Sequence, residues 1–401
     1  MDSGPRIGRR SAVTAAVAVA LAVVLAACSS PSSDGGSSSS GGSGGGGEGL
    51  PDTVKIMNIR ALTGPVSFAG LAAQQGIELA LAEIKAEGLL GETTLEIDTR
   101  DSAASAQEAA SFASQAAADN SYTAILGPEA SAQATAVSPI AQSAGIPVVY
   151  VQAGSEGVLT GDYTFRMTPP AESYFGIVGD YLEEQGVATA SVLINTGNPT
   201  LVQLGEKTVP KLAEEHGFKV LSSTGVETTA QDFTTPASQI AGENSDAAFL
   251  MVQGPQAPVS ITQLRQAGFD GEIVGMSAMG AGNLKSAGDR AKGAVWPTNF
   301  NAAQDVESSQ KFVEGFKAKY GEPPTNYSAE AYDALWFIAR GIAKADSADR
   351  AAVQEALAAL AEEGFDGAQG KITFDGNDAR VPGTLVRWDG AQEAPFEVDG
   401  N

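Results

Sequence analysis

Along residues 53–300 the hydrophobic positions keep switching period, and the switching repeats. "TVKIMNIRAL" (53–62) alternates and is rich in β-branched residues, which predicts a strand. A Gly/Pro turn follows, then "LAAQQGIELALAEIKAEG" (71–88), with apolar residues at helical spacing up to Gly88, a stop. The pairing recurs in "TTLEIDTRD" with "SAASAQEAASFASQAAAD" and in "YTAILGP" with "SAQATAVSPIAQSAG"; the strand "IPVVYVQA" comes next. Pro139 is expected to kink its helix. After "YTFRMTPPAES" the rhythm restarts with the helix "YFGIVGDYLEEQG" and runs through four more strands to "GEIVGMSAM". Such alternation predicts an α/β fold, with parallel sheets covered by helices on both faces. Two series of like size and order predict two similar lobes. The tail, amphipathic helices over 308–363 and then two strands around a polar turn, does not make a third domain. It is expected to return and complete the two lobes.

The first 50 residues follow neither period. Arg6, Arg9 and Arg10 precede an uncharged Ala/Val/Leu run, 11–27, the layout of a secretory signal. A membrane-anchor helix is the alternative, although the 17 residues of the run stand at the short edge of the roughly 20 such a helix needs. "LAAC", 25–28, holds the single cysteine of the chain and resembles a bacterial lipobox. That resemblance implies cleavage before Cys28 and diacylglycerol on its sulfur. A chance cysteine in an uncleaved signal is the other reading. Cys28 has no partner for an internal disulfide. Residues 29–49 have no apolar residue except Pro31 and cannot offset their ordering entropy by burial. As a flexible coil they span roughly 25 Å, which suits a tether.

Charge narrows the function further. The chain carries 24 basic and 48 acidic residues in 401, a net charge of −24. Residues 1–27 hold three arginines and one aspartate, so their removal makes it −26. A nucleic-acid partner, which needs a basic footprint, is excluded, as is an anionic membrane bound through the folded surface. His216 is the one histidine, so no Cys/His metal cluster and no Ser-His-acid triad can be assembled around a second. Neither G-x-x-x-x-G-K-[ST] nor G-x-S-x-G occurs, and "GAGNLKSAG" lacks the dinucleotide spacing. No enzyme activity, cofactor or metal is expected.

"LTGPVSFAGLAAQQGIELALAEI", "AILGPEAS", "SPIAQSAGIPVV", "YTFRMTPP" and "AEAYDAL" resemble, in order and spacing, the extracellular solute-binding proteins of branched-chain amino acid ABC transporters. The resemblance covers residues 53–390. It implies the periplasmic binding protein type 1 fold: two Rossmann-like lobes with parallel central sheets, joined by a three-strand hinge that closes on ligand. The crossovers would lie near Thr168–Pro170, Thr298–Asn301 and Gly370. The expected organisation is a signal over 1–27, lipidated cysteine and tether over 28–50, a first lobe of 51–168 plus 300–370, and a second of 169–299 plus 371–401. The implied partners are a small-molecule ligand and ABC permease subunits with cytoplasmic ATPases. The membrane would be reached only through the lipid. The chain would work as a monomer outside the cytoplasm, on a Gram-positive cell surface rather than in a periplasm.

The resemblance also implies a site. Ser131, with Ala130, matches the serine that holds a ligand carboxylate through its hydroxyl and helix-start amides; a plain N-cap is the alternative. The next loop is Gln152-Ala153-Gly154, with Ser155; the family's threonine position falls on Gly154. Phe68 matches an aromatic over the ligand side chain, or packs in the core. In the second lobe Leu204 and the region of Gly254 fall where aromatics are usual. Ser277 stands where amino-acid binders supply an acid for the ligand ammonium. Glu129, Asp101 and Glu172 are candidate substitutes. The expected function is a lipid-anchored importer component that captures a branched-chain or other apolar amino acid. The alternatives are an aliphatic or aromatic carboxylate, an amide or urea, and a sensor role.

Overall fold

Strands Thr53–Arg60, Thr94–Asp101, Tyr122–Leu126, Val148–Tyr150 and Thr164–Arg166 lie parallel in one sheet, in the spatial order second, first, third, fourth, fifth. Strands Thr189–Asn195, Lys219–Val226, Ala247–Met251, Glu272–Val274 and Val295–Thr298 form a second parallel set in the same order. The repeated rhythm thus becomes two α/β lobes of one topology. The structure, a computed structural model, describes residues 49–398, within one unit spanning 47–401. The expected signal, Cys28 and nearly all of the tether lie outside the described residues.

Each sheet is buried on both faces, as parallel sheets are. In the first lobe, helices Ser67–Glu87 and Asn326–Ala345 cover one face, and Ala106–Ala118 and Ser131–Ala144 the other. In the second, Gly176–Glu184 and the helical run from Pro199 to His216 cover one face. Thr234–Glu243 and Ala257–Gln266 cover its opposite face. Helices Ser67–Glu87 and Asn326–Ala345 approach closely at Gly76, where a Cβ would stand 2.1 Å from the Ser328 carbonyl oxygen. That contact draws Asn326–Ala345 into the interior and buries Glu330 and Asp333 with its apolar residues. Among the described residues no helix is long and apolar enough to cross a membrane.

The chain's last passage between the lobes differs from the expectation of one near Gly370. Strand Gly370–Asp375 folds back antiparallel on Asp378–Arg380, and the latter pairs with Thr164–Arg166 of the first sheet. Arg166 fixes this hairpin by binding both Asp378 oxygens, at 2.6 and 2.7 Å. Residues 371–380 therefore belong to the first lobe's sheet. The passage falls at 381–383, before Thr384–Trp388 pairs antiparallel with Val295–Thr298 in the second.

Candidate ligand-binding site

An open α/β sheet of this order binds ligands beyond the carboxyl ends of its strands, where the order reverses. Here the reversal lies between Thr53–Arg60 and Tyr122–Leu126 in one lobe, and between Thr189–Asn195 and Ala247–Met251 in the other. The loops from those ends line a common cavity of about 110 Å³. A water needs roughly 10–15 Å³ of such space, so a small organic molecule has room.

The first lobe supplies most of the polar wall. Phe68, Glu129, Ala130, Ser131, Gln152, Gly154, Thr168, Tyr327 and Glu330 line it. Ala130 occupies the N-cap of Ser131–Ala144 in extended geometry, and its amide donates to Gln133 Oε1 at 3.2 Å. Ser131 is therefore the first helical residue, and its hydroxyl does not cap its own helix. The positive end of the helix and that hydroxyl both border the cavity. Gln152 has a left-handed backbone, φ 56°, which is uncommon outside glycine. Bonds from its amide to Thr168 Oγ1 (2.5 Å) and Glu330 Oε2 (3.2 Å), and from Nε2 to the Tyr327 carbonyl (3.2 Å), hold it there. Behind this loop the Arg166 guanidinium donates to the Ala153 and Ser155 carbonyls at 2.9 and 2.6 Å.

The second lobe supplies a more apolar wall: Leu201, Val252, Met276 and Ala278, with Gly254, Asn198, Thr200, Gln253 and Ser277. Asn198 caps the helix that opens at Pro199, its Oδ1 accepting from the Thr200 and Leu201 amides. Tyr174 joins the cavity wall with Ser277 beside its hydroxyl, and burial pushes that phenol up. Phe68 and Tyr327 meet edge to face at 5.7 Å.

Of the site residues expected from the sequence, Phe68, Ala130, Ser131, Gln152, Gly154, Gly254 and Ser277 border this one cavity. Ala153 is buried in the first lobe's core, behind the wall. Ser155 lies just outside the lining, its amide donating to Ser131 Oγ at 3.2 Å. Leu204 is packed in the second lobe's core. The Asn198 cap starts the helix early enough that Thr200 and Leu201 reach the cavity, leaving Leu204 a turn beyond it. Just there the helix widens to a π turn over Leu204–Thr208, ahead of Pro210, which has no amide hydrogen to give.

The three candidate acids separate clearly. Asp101 is spent on the loop at 62–63 and the Ala103 amide, and does not line the cavity. Glu172 is half-buried and also outside the lining; burial pushes its carboxyl up. Glu129 does face the cavity, but it accepts from the fully buried Arg60 at 3.0 Å and from the Ala61 amide at 3.1 Å. The acid that sequence reasoning missed is Glu330. Its Oε2 accepts from Thr168 Oγ1 (2.5 Å) and the Gln152 amide, and its Oε1 from Asn299 (2.8 Å) and Asn326 (3.3 Å). A carboxylate offers about four acceptor sites, so Glu330 is saturated. Burial also pushes it up, toward the neutral form. One trace was readable: Glu330 shares a helix face with Ala334 and Phe337, which are apolar. Among the described residues no Lys, Arg or His lines the cavity, and no group of three or more His, Cys, Asp or Glu could hold a metal.

Comparisons with known proteins agree with this architecture. The Pseudomonas aeruginosa leucine-, isoleucine-, valine-, threonine-, and alanine-binding protein is 25% identical, over 84% of this chain and 90% of its own. A Leu/Ile/Val-binding protein homolog of Brucella abortus is 23% identical, over 83% and 88%. Among solved structures, the leucine binding protein LivK of Thermotoga maritima superposes with a TM-score of 0.78 at 26% identity, over 86% of this chain and 97% of that one. A solute binding protein of an R. palustris ABC transporter, in complex with benzoate, shares the fold at TM-score 0.77 and 19% identity, over 86% and 96%. The family model described as periplasmic binding protein matches residues 53–392. The chain therefore belongs to the periplasmic binding protein family, type 1 in fold: extracytoplasmic solute-binding components of ABC transporters, not enzymes.

Proposed function

We propose that the chain captures a small apolar monocarboxylate between its lobes and delivers it to an ABC permease pair driven by cytoplasmic ATPases. One observation carries this reading: the cavity offers a helix start and hydroxyls as donors, an apolar body wall, and no uncommitted acid. Ser131 and the amides that open its helix take the carboxylate. Leu201, Val252 and Met276 take the apolar body. A dicarboxylate is disfavoured, because no side-chain cation faces the cavity to match a second charge.

A second reading, a branched-chain amino acid, draws on Glu129. Its two oxygens accept one bond each, so acceptor capacity remains beside Ser131. Against this, Arg60 already neutralises that carboxylate. A ligand ammonium would therefore sit between a paired acid and a saturated one.

The lipid on Cys28 and the tether complete the proposal, holding a monomer at a Gram-positive cell surface. Stable anchoring takes more than one acyl chain, and diacylglycerol provides two.

The test is a thermal-shift screen of carboxylates against matched amides and amines, on the unaltered chain and on Ser131→Ala. A carboxylate at 100 Kd should add about 2.7 kcal/mol of stability. Ser131→Ala should reduce its binding energy by roughly 1.5–3 kcal/mol, the scale of a hydrogen bond to a charge. Shifts by amines but not carboxylates, or an unaffected Ser131→Ala, would refute the reading.

A further inference from the structure

This inference rests on the carboxylate reading and concerns the lobe that lacks the acid. Three hydroxyls meet across the cleft. Thr200 Oγ1, from the second lobe, lies 2.9 Å from Ser131 Oγ and 2.9 Å from Ser155 Oγ, both of the first. Each hydroxyl carries one proton. Two hydroxyl–hydroxyl contacts use two protons, and Ser131 Oγ spends a further acceptor site on the Ser155 amide. One of the three protons is left without an acceptor among the described residues. Ser131 and Thr200 both border the cavity, so a ligand atom there can take it. The Thr200 amide cannot serve in its place, because Asn198 Oδ1 already holds it at 3.0 Å.

We propose that Thr200 is a specificity-determining residue. Its hydroxyl, in contact with those of Ser131 and Ser155, turns the one uncommitted proton of the three toward an oxygen of the ligand head group. A lobe that selects an ammonium must present an acceptor. This second lobe presents a neutral hydroxyl, which offers an ammonium a lone pair but no compensating charge. The second lobe therefore holds the anionic end of the ligand, the same end as the first. A carboxylate oxygen accepts the remaining proton, and the bond is stronger for its charge.

The experiment is calorimetric titration of the full chain with 4-methylpentanoate and with 4-methylpentanamide, for the unaltered protein, Thr200→Val, Thr200→Ser and Ser131→Ala. Thr200→Val should weaken the carboxylate roughly 10–100-fold, the scale of a hydrogen bond to a charge. The loss for the amide should be at least about threefold smaller, since a neutral acceptor gains less from each donor. Thr200→Ser, which keeps the hydroxyl, should stay within about threefold of the unaltered protein. Should the valine variant not fold, Thr200→Ala carries the same comparison. Equal losses for carboxylate and amide overturn the Thr200 assignment, because a purely structural contact gives that pattern. Unaltered binding by Thr200→Val beside a loss in Ser131→Ala also overturns it, and leaves the carboxylate reading standing. No binding of the carboxylate to the unaltered chain, or no loss in Ser131→Ala, overturns that underlying reading and the Thr200 assignment with it.

Discussion

The two lobes share a strand order and differ in what their loops offer. In both, the carboxyl ends of the strands on either side of the order reversal face the cavity. The first lobe brings two buried acids, a helix start and a loop pinned by Arg166. The second brings aliphatic side chains, glycine and neutral polar groups. Topology thus fixes where a ligand goes, and loop chemistry decides which ligand that is. The first lobe is also the one tied to the chain passages. Glu330 accepts from Thr168 and Asn299, which stand at two of them, and Asn299 also donates to Gln369 at 2.6 Å. A ligand pressing on Gln152 or Thr168 is therefore one hydrogen bond from the hinge.

Removing the first lobe's brace gives the largest expected effect. Arg166→Met leaves two loop carbonyls without their donor and Asp378 with only Arg380, at 3.2 Å. Breaking a buried ion pair on one side costs about 3–5 kcal/mol, so urea unfolding should show a loss of that order. A loss below about 1 kcal/mol would mean that the loop holds its shape unaided.

The buried acids of the first lobe give the next effect, through pH. Asp333 is fully buried and accepts from the Ala368 and Gln369 amides at 2.6 and 3.0 Å, yet burial pushes its carboxyl up to about 6. The folded state then binds this proton more tightly than the unfolded chain does, so stability falls as pH rises from about 4 to about 6. At 1.36 kcal/mol per unit, the span from 3.8 to about 6 amounts to about 3 kcal/mol. Urea unfolding of the unaltered chain and of Asp333→Asn across that window should show the slope in the former and its flattening in the latter. Parallel curves would contradict the assignment.

Two changes in the second lobe sharpen the contrast. Ser277→Asp places an acid where Ser277 borders the cavity. It should move selectivity toward L-leucine over 4-methylpentanoate by tenfold or more, about 1.4 kcal/mol. Unchanged relative affinity would show that the ligand's α-carbon lies elsewhere. Leu201→Ala removes apolar contact without touching a donor. Affinity for 4-methylpentanoate should fall about fivefold, near 1 kcal/mol by the burial of a methylene or two. A loss as large as that of Ser131→Ala would place the head group against the second lobe's apolar wall.

How much of this could be read from the sequence follows from the range of each cause. Strand–helix alternation is local, so the two lobes and their sheets were legible from period alone. The loops after strands were legible too, since a strand end and a following helix start locate Ser131, Gln152 and Ser277 along the chain. Leu204 was misplaced because the entry of its helix depends on the Asn198 cap, in a loop whose length nothing local constrains. The last passage was misplaced because the arms of the hairpin around Gly376 and Asn377 carry no mark of which sheet they join. The Arg166–Asp378 pair decides that, across 212 positions of sequence. Glu330 was overlooked because its meaning depends on partners at 152, 168 and 299, from three separate stretches of chain. Even the saturation of an acid, which settles whether it can hold an ammonium, is a property of the folded surroundings.

On the proposed reading this cavity holds a carboxylate and offers an ammonium only neutral acceptors and acids already paired or saturated. Calorimetry on the unaltered full chain at pH 7, with 4-methylpentanoate and L-leucine, tests it most directly, because the two ligands share a skeleton and differ chiefly in the ammonium. 4-Methylpentanoate should bind at least about tenfold more tightly, 1.4 kcal/mol or more. Tighter binding of L-leucine would contradict it, and would show that Glu129 keeps enough charge beside Arg60 to hold the ammonium.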